Sequence, residues 1–367
     1  MYKRLKPFFI CLTFSFYAVS TVAQNTDSLL KSLSINAAIH YGFYFSGNVK
    51  SDFVIDSRPF LGEIDISIQT NGQKIWQQLN GYPVTGLGIL FGKSGGDKYI
   101  GNVGALVPFI NFSLYKRQGF KMNFKFGLGA GWVQKPFDVQ TNYKDFVIGS
   151  HLNACINLQV LSGVQIEKNA CLHIGFSFTH FSNGSIKLPN LGLNIPALSA
   201  GLEYSFIAQP TMIKRPVVPL KKKWHYYLFT SAAVKQSTPL ESPLRLVNLM
   251  SFEILRDFSN TGRYGAGFNL TYDRALSSEV PNSPTFAFDE SKLKLEASIY
   301  GTYEYVISDL SIPLQLGIYV YNNYRFSEIY ENIGIKYRFN SHWIAAVLLK
   351  AHLGNGDFIQ WGVGYKF

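Results

Sequence analysis

Residues 171–206 read CLHIGFSFTHFSNGSIKLPNLGLNIPALSAGLEYSF: an alternating run, a polar loop rich in Gly, Pro and Asn, and a second alternating run. In the first run Leu172, Ile174, Phe176, Phe178, His180 and Ser182 hold the even positions. Cys171, His173, Gly175, Ser177, Thr179 and Phe181 hold the odd ones. Strand side chains alternate between two faces, so four large apolar residues share a face with an imidazole and a hydroxyl. In a water-soluble sheet that face is core and His180 is buried in it. In a membrane barrel it meets lipid, where a His/Ser pair is costly and marks a working site.

Composition favours the membrane barrel. The chain has 367 residues, 16% aromatic and only 16% charged, with 32 glycines. That is aromatic-rich and charge-poor for a soluble domain. Beyond the N-terminus no apolar run reaches the roughly 18 residues of a membrane helix. Residues 1–23 read as a secretory signal peptide. Lys3, Arg4 and Lys6 precede an apolar stretch over 7–19, and Ser20-Thr21-Val22-Ala23 supplies small residues before a cut at Ala23/Gln24. Cys11 lies within the apolar stretch, outside the small-residue context of a lipidated cysteine. Cys155 and Cys171 remain after cleavage, either bridging neighbouring strands or standing as buried thiols, and no zinc spacing is present.

From Ala37 onward the chain breaks into alternating segments of about ten residues, the length of a tilted membrane strand. Ala37, Ile39, Tyr41, Phe43 and Phe45 share one face of the first. In the fifth, Met122, Phe124, Phe126, Leu128, Ala130 and Trp132 alternate with Asn123, Lys125 and glycines, an apolar outside against a polar, close-fitting inside. Eight such segments end at Phe206, enough for the smallest closed barrel. Residues 207–223, IAQPTMIKRPVVPLKKK, carry Pro210, Pro216 and Pro219 and five basic side chains. Such proline density excludes a sheet interior. The stretch reads as a solvated linker, with contact to lipid phosphates as the competing reading. Eight more segments follow from Trp224. Both halves close on alternating aromatics, Tyr204-Ser205-Phe206 and Trp361-Gly362-Val363-Gly364-Tyr365-Lys366-Phe367. A terminal Phe after such a run resembles the signal read by the outer-membrane barrel assembly machinery. The expectation is an all-β transmembrane protein of two eight-stranded barrels in tandem. One barrel of about sixteen strands is the alternative.

With both chain ends periplasmic, the seventh strand ends at the cell surface and loop 183–193 is extracellular. His180 and Ser182, two residues apart on one face, are about 6.6 Å apart at Cα. On the eighth strand Asn194 shares that face, and hairpin pairing sets it beside His180. Nucleophile, base and a group orienting the base form the logic of a hydrolytic triad. His173 reads as a satisfied interior histidine. Glu253, Glu296, Glu304, Lys336, Arg338 and Lys350 read as charges paired inside the second unit.

His180-Phe181-Ser182-Asn183, followed by its Gly/Pro/Asn loop, resembles the signature of the lipid A 3-O-deacylase (PagL-type) family, whose members include acyloxyacyl hydrolases. The resemblance covers about residues 35–206. It implies an eight-stranded outer-membrane barrel in which His180 is the base and Ser182 the nucleophile, facing the outer leaflet. It also implies an oxyanion hole at Asn183, with Gly184 and Ser185. The family's third residue is a glutamate fourteen positions beyond the histidine. Here that position is Asn194, an amide that holds an imidazole tautomer but lends imidazolium no charge. Glu203 cannot replace it, since its parity points to the lumen.

The resulting expectation is an outer-membrane serine esterase that removes a fatty acyl chain from lipid A (lipopolysaccharide), with no metal or cofactor. Residues 24–206 form the deacylase-like unit and 224–367 a second unit of unknown role. The competing reading is a non-catalytic structural, adhesive or channel barrel. No nucleic acid is expected, since net charge of +11 is poor grounds by itself.

Overall fold

The computed structural model describes residues 32–43, 54–206, 210–217, 220–237, 242–276, 294–322 and 327–367. The signal peptide over 1–23 and its cleavage point lie outside them. Eight antiparallel strands close the first barrel: β1 (Leu33–Gly42), β2 (Phe60–Gln69), β3 (Val84–Lys93), β4 (Asn102–Arg117), β5 (Phe120–Val133), β6 (Leu152–Glu167), β7 (Ala170–Ser182) and β8 (Leu193–Ser205). A short helix, α1 (Ile75–Leu79), sits in the β2–β3 connection. The second barrel comprises β9 (Trp224–Lys235), β10 (Arg245–Ser259), β11 (Gly262–Asp273), β12 (Leu295–Ile307), β13 (Leu310–Asn322), β14 (Ile329–Arg338), β15 (Trp343–His352) and β16 (Asn355–Lys366). Two closures, not one sixteen-stranded ring, satisfy the strand edges.

Each barrel is inside-out relative to a soluble protein. Ile39, Ile66, Phe91, Ile174 and Phe176 point outward and exposed, while Glu63, Asp65, Lys125 and Asn157 are buried. In the first lumen the Lys125 ammonium bonds Glu63 at 2.6 Å and Asp65 at 2.8 Å and lies over the Phe109 ring. His40 joins Glu63, Ser177 and Ser199 to the same network. In the second, Lys336 pairs with Glu253 and Glu304, and Lys350 with Glu296. Arg338 departs from the expected interior: it pairs with Asp309 at the exposed rim, because β14 ends there. His173 is satisfied on one side only. Nε2 bonds Asn36, while Nδ1 has no partner among the described residues.

The polar interior does not run the full height. At the loop end of the first barrel Val103, Val133, Val147, Ile148, Phe181, Leu193 and Ile195 form an apolar core. Its effect is to plug the lumen directly behind the end of β7. Cys155 and Cys171 are both free and buried. They pair with Phe181 and Gln165 respectively, so they stand far apart along the β6–β7 ladder and no bridge is possible.

Two sets of contacts place the barrels against each other. Residues 211–217 of the linker are tied to the β2–β3 connection, with Ile213 N donating to Asn71 O and Arg215 N to Gln78 Oε1. At the same end Phe112 and Tyr305 meet edge to face, and the Tyr305 hydroxyl donates to Asn80. The two seams differ. β1 and β8 pair from Ser34↔Ser205 to Gly42↔Ala197, whereas β16 and β9 pair only from Lys366↔Tyr227 to Trp361↔Ala232. Among the described residues the loop-end half of β16 therefore has no ladder to β9.

Candidate active site

The site forms where β7 and β8 leave the ladder. Register sets His180 directly opposite Asn194, Phe178 opposite Pro196 and Phe176 opposite Leu198. Phe181 is fully buried in the apolar plug between His180, which is half-buried, and Ser182, which is buried. Phe176, Leu198 and Ile174 continue the outer face as exposed apolar surface.

His180 Nδ1 lies 2.6 Å from Asn194 Oδ1. An amide oxygen only accepts, so Nδ1 carries the proton and Nε2 keeps a free lone pair. The ring is further held by parallel stacking on Phe178 (centroids 6.5 Å apart, 8° between planes). Gly192 closes its edge. A Cβ there would stand 2.7 Å from His180 Cε1, and its φ of +81° also favours glycine.

Ser182 Oγ accepts two hydrogen bonds, from Asn190 Nδ2 at 2.9 Å and from Gly184 N at 3.3 Å. Its own proton is thus not committed to either. Among the described residues no hydrogen bond joins Ser182 to His180; such bonds commonly tighten only around substrate. Gly184 alone of the three expected oxyanion residues aims a backbone N–H at the serine. Asn183 N donates to Asn190 Oδ1, and its side-chain amide donates to Ser150 Oγ and Lys187 O. Ser185 Oγ donates to Gly356 O of the second barrel. Asn190 escaped sequence reasoning, because an Asn in a Pro-Asn loop reads as turn chemistry. Only the folded loop brings its amide to Ser182.

The 134–151 connection backs this loop. Val147 O accepts Gly192 N at 3.0 Å, and a Cβ at Gly149 would strike Lys187 O. Asp145 organises the bend: Oδ1 accepts from Val147 N and Ile148 N, while Oδ2 is buried without a partner among the described residues. Burial pushes its carboxyl up to about 7, against the pull of the two backbone donors. The described residues hold no cluster of His, Cys, Asp or Glu suited to a metal ion.

Two family models match the chain in succession: lipid A 3-O-deacylase (PagL) over residues 62–203, and the acyloxyacyl hydrolase C-terminal domain over 223–367. The chain belongs to the PagL family. As a member it is an outer-membrane protein of a family of lipid A-deacylating hydrolases. Similar solved structures include the outer-membrane enzyme PagL, at 17% identity and a TM-score of 0.31, covering 47% of this chain and 98% of that one. Neisserial surface protein A is another, at 15% identity and 0.30, covering 47% and 96%. No curated protein sequence matches the chain. The PagL model ends before the linker, and Asn194 falls within its span.

Proposed function

We propose that the protein is a serine esterase that removes an ester-linked acyl chain from lipid A in the outer leaflet. The observation that carries this reading is the His180–Asn194 bond, which leaves Nε2 free to act as a base two residues along β7 from Ser182, whose hydroxyl proton is uncommitted. His180 takes the Ser182 proton as Oγ forms its bond to the ester carbonyl carbon. The tetrahedral oxygen gains its charge beside Gly184 N–H and Asn190 Nδ2, the two donors that bond Ser182 Oγ before substrate arrives and would turn to the new oxyanion. Collapse breaks the bond to the sugar oxygen, which leaves with the proton from His180. Water, deprotonated by the same imidazole, then releases the fatty acid and restores Ser182. No step draws on a metal or cofactor.

The substrate needs no extraction, because a lipid in the outer leaflet already lies against Phe176, Phe178 and Leu198. The terminal Phe367 remains our proposed contact for the barrel assembly machinery. Mass spectrometry of lipid A from cells with and without the protein tests the activity. The expected result is loss of one acyl mass, abolished by Ser182→Ala with barrel folding intact. Identical lipid A in all strains would refute the enzyme reading.

A further inference from the structure

Resting on that reading, the structure assigns the second barrel a part in the reaction: its open seam holds the loop that serves Ser182, and Gln236 is the positioning residue. β9 and β16 separate above Trp361↔Ala232. On the lumen side of the gap Lys235 bonds Asp357 at 2.7 Å. On the outer side the gap is spanned by residues 184–188 of the first barrel.

The contacts are directional and nearly all to backbone. Gln236, the residue after β9, donates its N–H to Ser185 O at 2.9 Å and accepts Leu188 N on Oε1 at 2.8 Å. Its own amide is oriented by Nε2 donating to Ser242 O. Across the gap Ser185 Oγ donates to Gly356 O of β16. Beneath them Ile359 lies so close to Gly184 that a Cβ would stand 2.4 Å from Cγ1. Gly184 and Ser185 both adopt positive φ, +59° and +58°, and the serine bears that conformation against its own preference. Such a conformation persists where neighbouring structure over-determines it, and here the neighbours belong to the other barrel. The loop is thus clamped like a short strand added to an edge. Gly184, the residue carrying the N–H directed at Ser182 Oγ, sits at one end of the clamp. An oxyanion donor acts through prior orientation, so freeing the loop lowers turnover more than substrate affinity.

The test uses the full-length protein in detergent with dispersed lipid A. Gln236→Leu, which removes the acceptor for Leu188 N–H, should lower kcat about tenfold with KM within about twofold. It should also slow covalent labelling of Ser182 by an alkyl fluorophosphonate. Gln236→Glu keeps the acceptor and should restore most of both rates. Ser185→Ala, which removes the bond to Gly356, should lower kcat by a smaller factor. Folding is read from heat-modifiable gel migration, and Ser185→Ala decides the matter if Gln236→Leu does not fold. Wild-type kcat and labelling in the folded variants, with Ser182→Ala inactive, would overturn the clamp while leaving the esterase reading intact. An active Ser182→Ala would instead overturn the esterase reading itself.

Discussion

The third member of the site gives the sharpest prediction. Asn194→Asp keeps the side-chain shape and the bond to His180 Nδ1 but adds a negative charge where the native amide has none. During acyl transfer the imidazole becomes imidazolium, and only a charged partner stabilises it beyond orientation. With charge centres about 4 Å apart, Coulomb's law gives roughly 4 kcal/mol at an effective dielectric near 20. Asn194 is exposed, so solvent screening brings the gain toward that of a surface pair, about 1 kcal/mol. At 1.36 kcal/mol per decade that is roughly a fivefold rise in kcat, with tenfold as a generous ceiling. Asn194→Leu removes the acceptor that selects the tautomer and should cost roughly ten- to a hundredfold. Fatty-acid release at saturating lipid A, followed by mass spectrometry, reads both. An aspartate variant no faster than wild type, folded and still dependent on Ser182, would show that imidazolium stabilisation at Nδ1 is not what limits turnover.

Gly192→Ala should drop activity at least tenfold, because its Cβ would contest the imidazole at 2.7 Å, while heat-modifiable migration shows the barrel still closed. Asp145, with a folded pKa of about 7 against 3.8 unfolded, contributes stability that is full below about pH 4 and lost as pH rises through 7. The whole excursion is worth at most about 4 kcal/mol, and Asp145→Asn should flatten the pH dependence of thermal unfolding over that window. Lys125→Met strands Glu63 and Asp65 inside the lumen and should destabilise the first barrel by about 3–5 kcal/mol, read by urea unfolding in detergent. Planar bilayers should show no steady conductance, since both lumens are filled by packed side chains; discrete channel steps would contradict this.

Most of the architecture was legible because a membrane barrel writes itself in period two. Phe176 and Ser177 fall on opposite faces whatever their partners, and sixteen such runs with a proline-dense break point to two closures. One ring of sixteen would satisfy the strand edges as well, and only the folded pairing separates the two. The His180/Asn194 juxtaposition followed from the same parity plus a hairpin. The apolar plug was hidden, because Phe181 and Val133 sit at lumen parity, where alternation predicts polar residues. Asn190 was hidden because a loop has no period. Arg338 was misplaced because parity names a face but not the height at which a strand ends. The seam gap was invisible for another reason: ladder length depends on how two distant strands curve.

Sheets that stop zipping early leave bare amides and carbonyls at the margin, an invitation to any extended peptide that passes. In this chain the invited segment is encoded some fifty residues upstream and arrives already tethered. Cutting the polypeptide between its halves would therefore leave the downstream half with an unoccupied, sticky lip where β9 and β16 part. Self-association of that isolated half, relieved by adding back the upstream half, is the behaviour its geometry demands.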